Sequence, residues 1–420
     1  MNAPLTGLTP TGDAADPESL RGADILILSA YYHPEPTGSA PPITDLSFWL
    51  AKNGADVRVL TGRPSYPARR VFEGYRRGER DTEQLNEVAV RRLGHYVSES
   101  PGLLGRFATE FSLLARLAAA RALGGAKPAR HVICVCPSVF VVAAAGLFRR
   151  RGGRVLCIVH DIQSGLGRSL GFKAANLVLG PLRAVEMRAY NGCDVLVALS
   201  DEMADELRRL GVSRPIVVLP PQIDIGELTP LPEPADEAPA LLYSGNLGRK
   251  QGLDQVLALA GALQARGSRA RIVIRGQGSE RAELERQAAA DGLTNVAFED
   301  LAPRERLNEA MAEGIVHLAP QHPDGATFAV PSKVFSIMAA ERPFLATARR
   351  ASPLWNIAQV SRAGVCVEPY QPEALADAAE QLLADPALRR RMGKSGRAYV
   401  ARNVDREIVC RRLWDALSEG

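Results

Sequence analysis

Residues 24–62 read DILILSA, then YYHPEPTGSAPP, then ITDLSFWLAKNG, then DVRVLTG. An apolar run, a Pro/Gly loop, apolar residues at helical spacing and a second apolar run make a strand–loop–helix–strand unit. Strands joined through a helix lie parallel, and the helix covers a face of their sheet. More strand-like runs follow at VAVRRL (88–93), HVICVC (131–136), RVLCIV (154–159), VLVALS (195–200) and IVVLP (216–220), separated by helical patterns. Together they predict a complete α/β domain.

Residues 221–239 interrupt this order with five prolines and several acids, the composition of a linker. A second series then runs through ALLYSG (240–245), ARIVIRG (270–276), VAFED (296–300), IVHLAP (315–320), PFLAT (343–347) and GVCVEP (364–369). Helices are expected near 252–266, 279–291, 303–313, 331–341, 372–384 and 386–401, and an Arg- and Leu-rich helix at 405–418. The expected division is a loose tail (1–22), a first Rossmann-like domain (23–224), a linker (225–239), a second Rossmann-like domain (240–404) and a closing helix (405–420). Ligands of such parallel sheets sit beyond the carboxyl ends of the strands. With two domains face to face, the expected site is the cleft between them.

A formal charge of +4 over 420 residues is too weak to imply a nucleic-acid partner. Aromatic residues make up 5%, too few for a base-stacking platform. The six cysteines, Cys134, Cys136, Cys157, Cys193, Cys366 and Cys410, form no CxxC pair and mostly sit in apolar runs. They read as small core residues in a reducing compartment, and neither they nor the histidines show metal spacing. The first 22 residues lack the basic start and apolar run of a secretory signal. No uncharged apolar run reaches membrane-spanning length. The expected location is the cytoplasm, with contact to the inner face of the membrane through LLGRFATEFSLLARLAAARAL (103–123) and GLGRSLGFKAANLVLGPLRAVEMR (165–188). Basic amphipathic helices suit anionic surfaces, although Arg and Lys stems also cover ordinary sheet-packing helices.

Several segments, in order, carry a resemblance. They are YYHPEPTGSAP (31–41), VHDIQ (159–163), ALSDEMADELRRLGV (198–212) with VVLPPQID (217–224), YSGNLGRKQG (243–252), IRGQGSERAELE (274–285) and PSKVFSIMAAERP (331–343). Across about residues 24–405 the chain resembles the family-4 retaining glycosyltransferases of the GT-B fold, most of all the branch that builds bacterial exopolysaccharides of the colanic-acid type. The resemblance implies two Rossmann-like parallel-sheet domains facing across a cleft, with the C-terminal helix crossing back to the first domain. It also implies transfer of a sugar, with retention, from a nucleoside diphosphate sugar to a saccharide or polyprenyl-linked acceptor. No cofactor beyond the donor and no metal is expected.

Cleavage of a sugar–phosphate bond leaves charge on the diphosphate, which a metal-independent enzyme must stabilise with Arg, Lys and backbone N–H groups. Gly245, Asn246, Arg249 and Lys250 lie where a strand hands over to a helix, a place of oriented N–H donors and close backbone approach. They are expected at the phosphates; the plain alternative is a solvated loop. Family members often carry basic residues at the positions of Asn246 and Gln251, so the charge here is displaced along the loop. Gly38 and Ser39, in the first loop, are expected against donor phosphate and sugar, or else form an ordinary turn. The resemblance implies that Gly276 and Gly278 line the nucleotide pocket, with Arg275 or Glu280 nearby.

Lys333 stands in a first helical turn, the wrong sign for the helix dipole, which suits a bound anion. With His160 and Asp161, at the end of the strand RVLCIV, it completes the expected catalytic set. A buried structural histidine with a capping aspartate is the alternative for that pair. His33, near the first loop, is the other histidine worth testing. The family's two glutamates, eight positions apart, fall on Phe328 and Ser336 in one register and on Ala326 and Val334 in the other. The backbone around Phe328, Ala329 and Val330 and the hydroxyls of Ser332 and Ser336 are the expected substitutes at sugar and ribose. Two rivals remain: a sugar-nucleotide epimerase of the same shape, and an inactive sugar-nucleotide-binding protein.

Overall fold

The computed structural model describes residues 20–36, 38–100, 103–162, 176–234, 239–323 and 331–419. It divides into two units, residues 1–219 with 407–420 and residues 220–406.

The first unit contains β1 (Asp24–Ser29), α1 (Ala40–Lys52), β2 (Asp56–Gly62), β3 (Thr82–Leu85), β4 (Val88–Leu93), α2 (Leu103–Ala122), β5 (Ala129–Cys136), α3 (Val139–Ala145), β6 (Arg149–Val159), α4 (Asn176–Asn191), β7 (Val195–Ala198), α5 (Asp201–Leu210) and β8 (Ile216–Val218). Its sheet runs β3-β4-β2-β1-β5-β6-β7-β8. Every pairing is parallel except that of β3 with β4. β3 escaped the sequence reading because TEQL is a half-exposed polar edge strand with no apolar run to announce it. α5 shows why its segment turns helical. Ser200 Oγ accepts from Met203 N, Asp201 and Glu202 sit at the positive end, Arg208 and Arg209 sit at the negative end, and Gly211 closes it at φ 111°.

The second unit contains β9 (Ala240–Ser244), α6 (Asp254–Ala265), β10 (Arg271–Arg275), α7 (Arg281–Ala290), β11 (Val296–Glu299), α8 (Leu307–Ala312), β12 (Gly314–Pro320), α9 (Ser332–Ala339), β13 (Phe344–Thr347), α10 (Pro353–Ser361), β14 (Gly364–Val367), α11 (Pro372–Ala384) and α12 (Pro386–Asn403). Its all-parallel sheet runs β11-β10-β9-β12-β13-β14. α10 is an addition to the expected helices. Its signal was Ser352-Pro353, in which Ser352 Oγ accepts from Trp355 N and the proline occupies the first turn.

The last helix, α13 (Arg406–Ser418), packs into the core of the first unit. Val409, Cys410, Leu413, Trp414 and Leu417 are buried with Trp49, Leu50 and Leu219. The Trp414 ring meets His131 edge-on at 5.0 Å, and Trp49 Nε1 donates to Glu407 Oε2 at 2.6 Å.

Removing a buried indole leaves a cavity that a packed core cannot fill. Trp414→Ala is therefore expected to cost about 3–5 kcal/mol in urea unfolding; a loss under about 1 kcal/mol would show that α13 is not part of this core.

Candidate active-site residues in each unit

In the first unit, the loops leaving β1, β2, β4, β5 and β6 surround a cavity of about 560 Å³. Gly38, Ser39, His160 and Asp161 all line it, together with Tyr31, Tyr66, Arg106 and Glu110. The parallel sheet explains the convergence, since residues far apart in sequence leave it at one edge. Gly38 adopts φ 74°, a conformation that disfavours any side chain. Ser39 precedes α1 but makes no capping bond, and Pro41 and Pro42 remove two amides from that helix start. An anion there would meet only the amides of Ser39 and Ala40. Burial holds His160 down at about 4, so its imidazole is neutral at pH 7. A neutral ring suits hydrogen bonding to a hydroxyl better than proton transfer. His33 is exposed, its N–H donates to Thr44 Oγ1, and it does not line the cavity.

Glu35 organises these loops, and sequence reasoning missed it. Its buried carboxylate accepts from Tyr32 N at 3.0 Å, Ser65 N at 2.9 Å and Tyr66 N at 2.8 Å. Burial raises its pKa, while the three amides pull it back. One side chain thus ties the loop after β1 to the loop after β2. Its only sequence signal was an acid between two prolines, HPEP. Arg92 adds a second tie, donating to His33 O at 2.7 Å beneath the Tyr75 ring.

In the second unit, the turn after β9 lies directly on the turn after β10. Gly245 N donates to Arg275 O at 2.9 Å, Leu247 N to Gln277 O at 2.9 Å, and Glu280 N to Leu247 O at 3.0 Å. A Cβ on Gly276 would fall 1.8 Å from Gly245 O, and one on Gly278 would fall 2.2 Å from Leu247 O. Contact between two backbones thus requires glycine at 276 and 278. The amides of Gly245 and Leu247 are both engaged in this contact. Arg275 is a structural cation, paired with Glu299 and Glu313 and donating to Ala310 O at 2.9 Å.

Lys333 is different. Its ammonium lies 3.7 Å from the centroid of the Tyr243 ring and is buried without a hydrogen-bond partner among the described residues. A Cβ on Gly245 would stand 2.9 Å from Nζ, so the glycine leaves the space the lysine fills. Burial lowers its pKa from 10.5 to about 7. Tyr243, which sequence reasoning took only as a buried strand residue, is the platform; its hydroxyl donates to Asn246 O at 2.7 Å. The structure therefore brings Gly245, Asn246 and Lys333 together. Arg249 and Lys250 follow on an exposed 3₁₀ turn, Arg249–Gln251, and neither side chain has a partner among the described residues. Ser332 is exposed and Ser336 half-buried, one turn apart on α9. Phe328, Ala329 and Val330 lie outside the described residues.

Comparison with known proteins agrees with this architecture. Residues 37–222 match the glycosyl transferase 4-like domain, and residues 230–399 match the glycosyl transferases group 1. The chain is 30% identical to the putative colanic acid biosynthesis glycosyl transferase WcaI of Escherichia coli K12, over 93% of this chain and 98% of that protein. It is 27% identical to the alpha-D-kanosaminyltransferase of Streptomyces kanamyceticus, over 38% of this chain and 40% of that one. Among solved structures, sucrose-phosphate synthase of Thermosynechococcus elongatus matches with TM-score 0.73 and 18% identity, covering 93% of this chain and 97% of that one. WaaG, a glycosyltransferase of lipopolysaccharide biosynthesis, matches with TM-score 0.68 and 17% identity over 94% and 100%. Two parallel-dominated sheets, a turn-on-turn glycine contact and matches along nearly the whole chain lead to one assignment: the chain belongs to the group 1, family-4-like glycosyltransferases of the GT-B fold.

Proposed function

We propose that this glycosyltransferase moves a sugar from a nucleoside diphosphate sugar to a lipid-linked saccharide, with retention, during assembly of a bacterial cell-surface polysaccharide. The observation that carries the reading is the Lys333 ammonium beside Gly245, unpartnered among the described residues. A fall in pKa from 10.5 to about 7 corresponds to roughly 5 kcal/mol against the charged form, more than the ~0.5–2 kcal/mol a ring face returns. A diphosphate supplies the missing counter-charge. In transfer, the bond from the anomeric carbon to the diphosphate oxygen breaks and one from that carbon to the acceptor oxygen forms. The acceptor proton passes to the departing diphosphate. Lys333 stabilises the charge that develops there, with Arg249 and Lys250 supporting it from the adjoining turn. Neutral His160, with Asp161, orients hydroxyls in the first unit's cavity, and Ser336 takes the ribose. The likeness to a colanic acid enzyme supports the polysaccharide setting, and a solved relative, Alr3699/HepE of Anabaena, was crystallised with UDP.

We also place the protein at the inner membrane face, through α2. Leu104 and Phe111 stand 85% and 62% exposed on one side of it, and Leu123, 85% exposed, follows its end. Arg116 and Arg121 flank this stripe, and Arg121 Nε donates to Leu147 O at 2.9 Å, beside exposed Arg149, Arg150 and Arg151. Apolar side chains ringed by arginines suit an anionic lipid surface. No helix among the described residues is long and apolar enough to cross a membrane. The other stretch considered, 165–188, lies partly outside the described residues.

Radiolabelled sugar nucleotides, supplied with a lipid extract and EDTA, are expected to give a lipid-soluble product whose anomeric configuration matches the donor. Release of an epimerised sugar, or binding without turnover, would support the rival readings instead.

Lys333→Met is expected to lower transfer at least about 100-fold while stabilising the unliganded protein by ~1–3 kcal/mol, because a buried unpaired polar group disappears. The pH dependence tests the same point. The folded pKa of about 7 lies below the unfolded value, so between about pH 7 and 10 the unfolded chain holds the extra proton and stability rises with pH. Urea melts should show this rise in the wild type and its loss in Lys333→Met. Diphosphate binding should raise the Lys333 pKa, so calorimetry at pH 8 should show proton uptake on binding of a nucleoside diphosphate.

Sedimentation with phosphatidylglycerol vesicles should pull down the wild type in low salt. Leu104→Glu with Phe111→Glu should abolish this, and equal binding to uncharged vesicles would refute the electrostatic part.

A further inference from the structure

We propose that Cys134, Cys157 and Cys193 form a three-sulfur site for a soft monovalent cation of the copper(I) type. The inference does not depend on the transfer reading. The three Sγ atoms lie within 4.8 Å of one another, and all three side chains are buried. Cys134 on β5 and Cys157 on β6 are register partners on adjacent parallel strands. Cys193 stands in the turn after α4, two residues before β7, which pairs with β6. Two strands and a short turn therefore hold the sulfurs, so little ordering is needed for a cation to enter.

Geometry and chemistry narrow the occupant. A trigonal set with bonds of about 2.3 Å, the length of a metal–thiolate bond, needs sulfurs about 4.0 Å apart. Sulfurs within 4.8 Å reach that triangle by small side-chain shifts. Thiolate sulfur selects soft ions, copper(I) foremost among the monovalent ones. Zinc, which closes its structural sites with four ligands, finds three sulfurs here. Each cysteine that ligates the cation does so as a thiolate and releases its proton to solvent.

A route to Cys193 is present. A cavity of about 270 Å³ is lined by Cys193 itself and by Val142, Val155, Val185 and Ala189. Val185 is 43% exposed, so this space opens to the surface. Cys193 Sγ donates to Ala189 O at 3.5 Å, a weak bond that a cation displaces without stranding a charge.

The test uses the reduced full-length protein under anaerobic conditions, titrated with copper(I) held by a chromogenic chelator. One copper per chain should be withdrawn from the chelator, and X-ray absorption should show a shell of three sulfurs at about 2.3 Å. Cys193→Ala should weaken binding by at least about 100-fold, whereas Cys366→Ala should leave it unchanged. The proposal is overturned if no copper is withdrawn, if nitrogen or oxygen enters the shell, if equimolar zinc displaces copper, or if Cys193→Ala binds as the wild type does. Should Cys193→Ala fail to fold, the wild-type absorption shell decides the matter by itself.

Discussion

A cation buried against a ring, with no oxygen to pair with among the described residues, is the constraint around which the second unit's site is arranged. Water solvates an ammonium far better than a tyrosine face does, so the Lys333–Tyr243 contact leaves net electrostatic cost in the empty protein. The surroundings hold the lysine there. Gly245 leaves room beside Nζ, and the rest of α9 is anchored by buried Val334, Phe335, Ile337 and Met338. Local stability has been exchanged for a lysine that is in position before any anion arrives and takes up its full charge once one binds. That is pre-organisation of position, because the side chain need not move when negative charge develops.

The first unit solves a different problem with a carboxylate. Loops at the carboxyl ends of β1 and β2 frame a large cavity, and their Tyr31 and Tyr66 rings meet at 5.4 Å. Three amides converging on Glu35 give those loops a shared centre. A buried acid satisfied this way is a structural pin, and Ser39, His160 and Asp161 line the space beside it. The neutrality of His160 follows from the same burial that makes the cavity well defined.

Most of the fold was legible because parallel strands are apolar throughout and announce themselves without help from their neighbours. DVRVLTG and VAVRRL fall on β2 and β4 residue for residue. TEQL did not announce itself, because an edge strand needs no apolar run, and PLWNIAQVS was passed over despite the Ser-Pro start that makes it helical. For the site, local glycine and basic patterns pointed to the turn after β9 and to Lys333. They said nothing of Tyr243, whose role depends on a helix folding back from ninety residues downstream. Glycines at 276 and 278 read as a ligand's requirement, and a neighbouring backbone requires them as well. The cysteines show the same limit. Metal-spacing rules look along the chain, whereas strand register brings Cys134 and Cys157 side by side from 23 positions apart.

The turn after β9 and the turn after β10 touch with no side chain between them. Two segments locked this closely behave as a single inheritable part. Swapping one of them for its counterpart from another transferase would bring a backbone shape its partner has never met, whatever the donor chemistry of the graft. Anyone seeking to retune sugar-nucleotide preference in this scaffold should transplant both together, or leave both and work on the side chains around them.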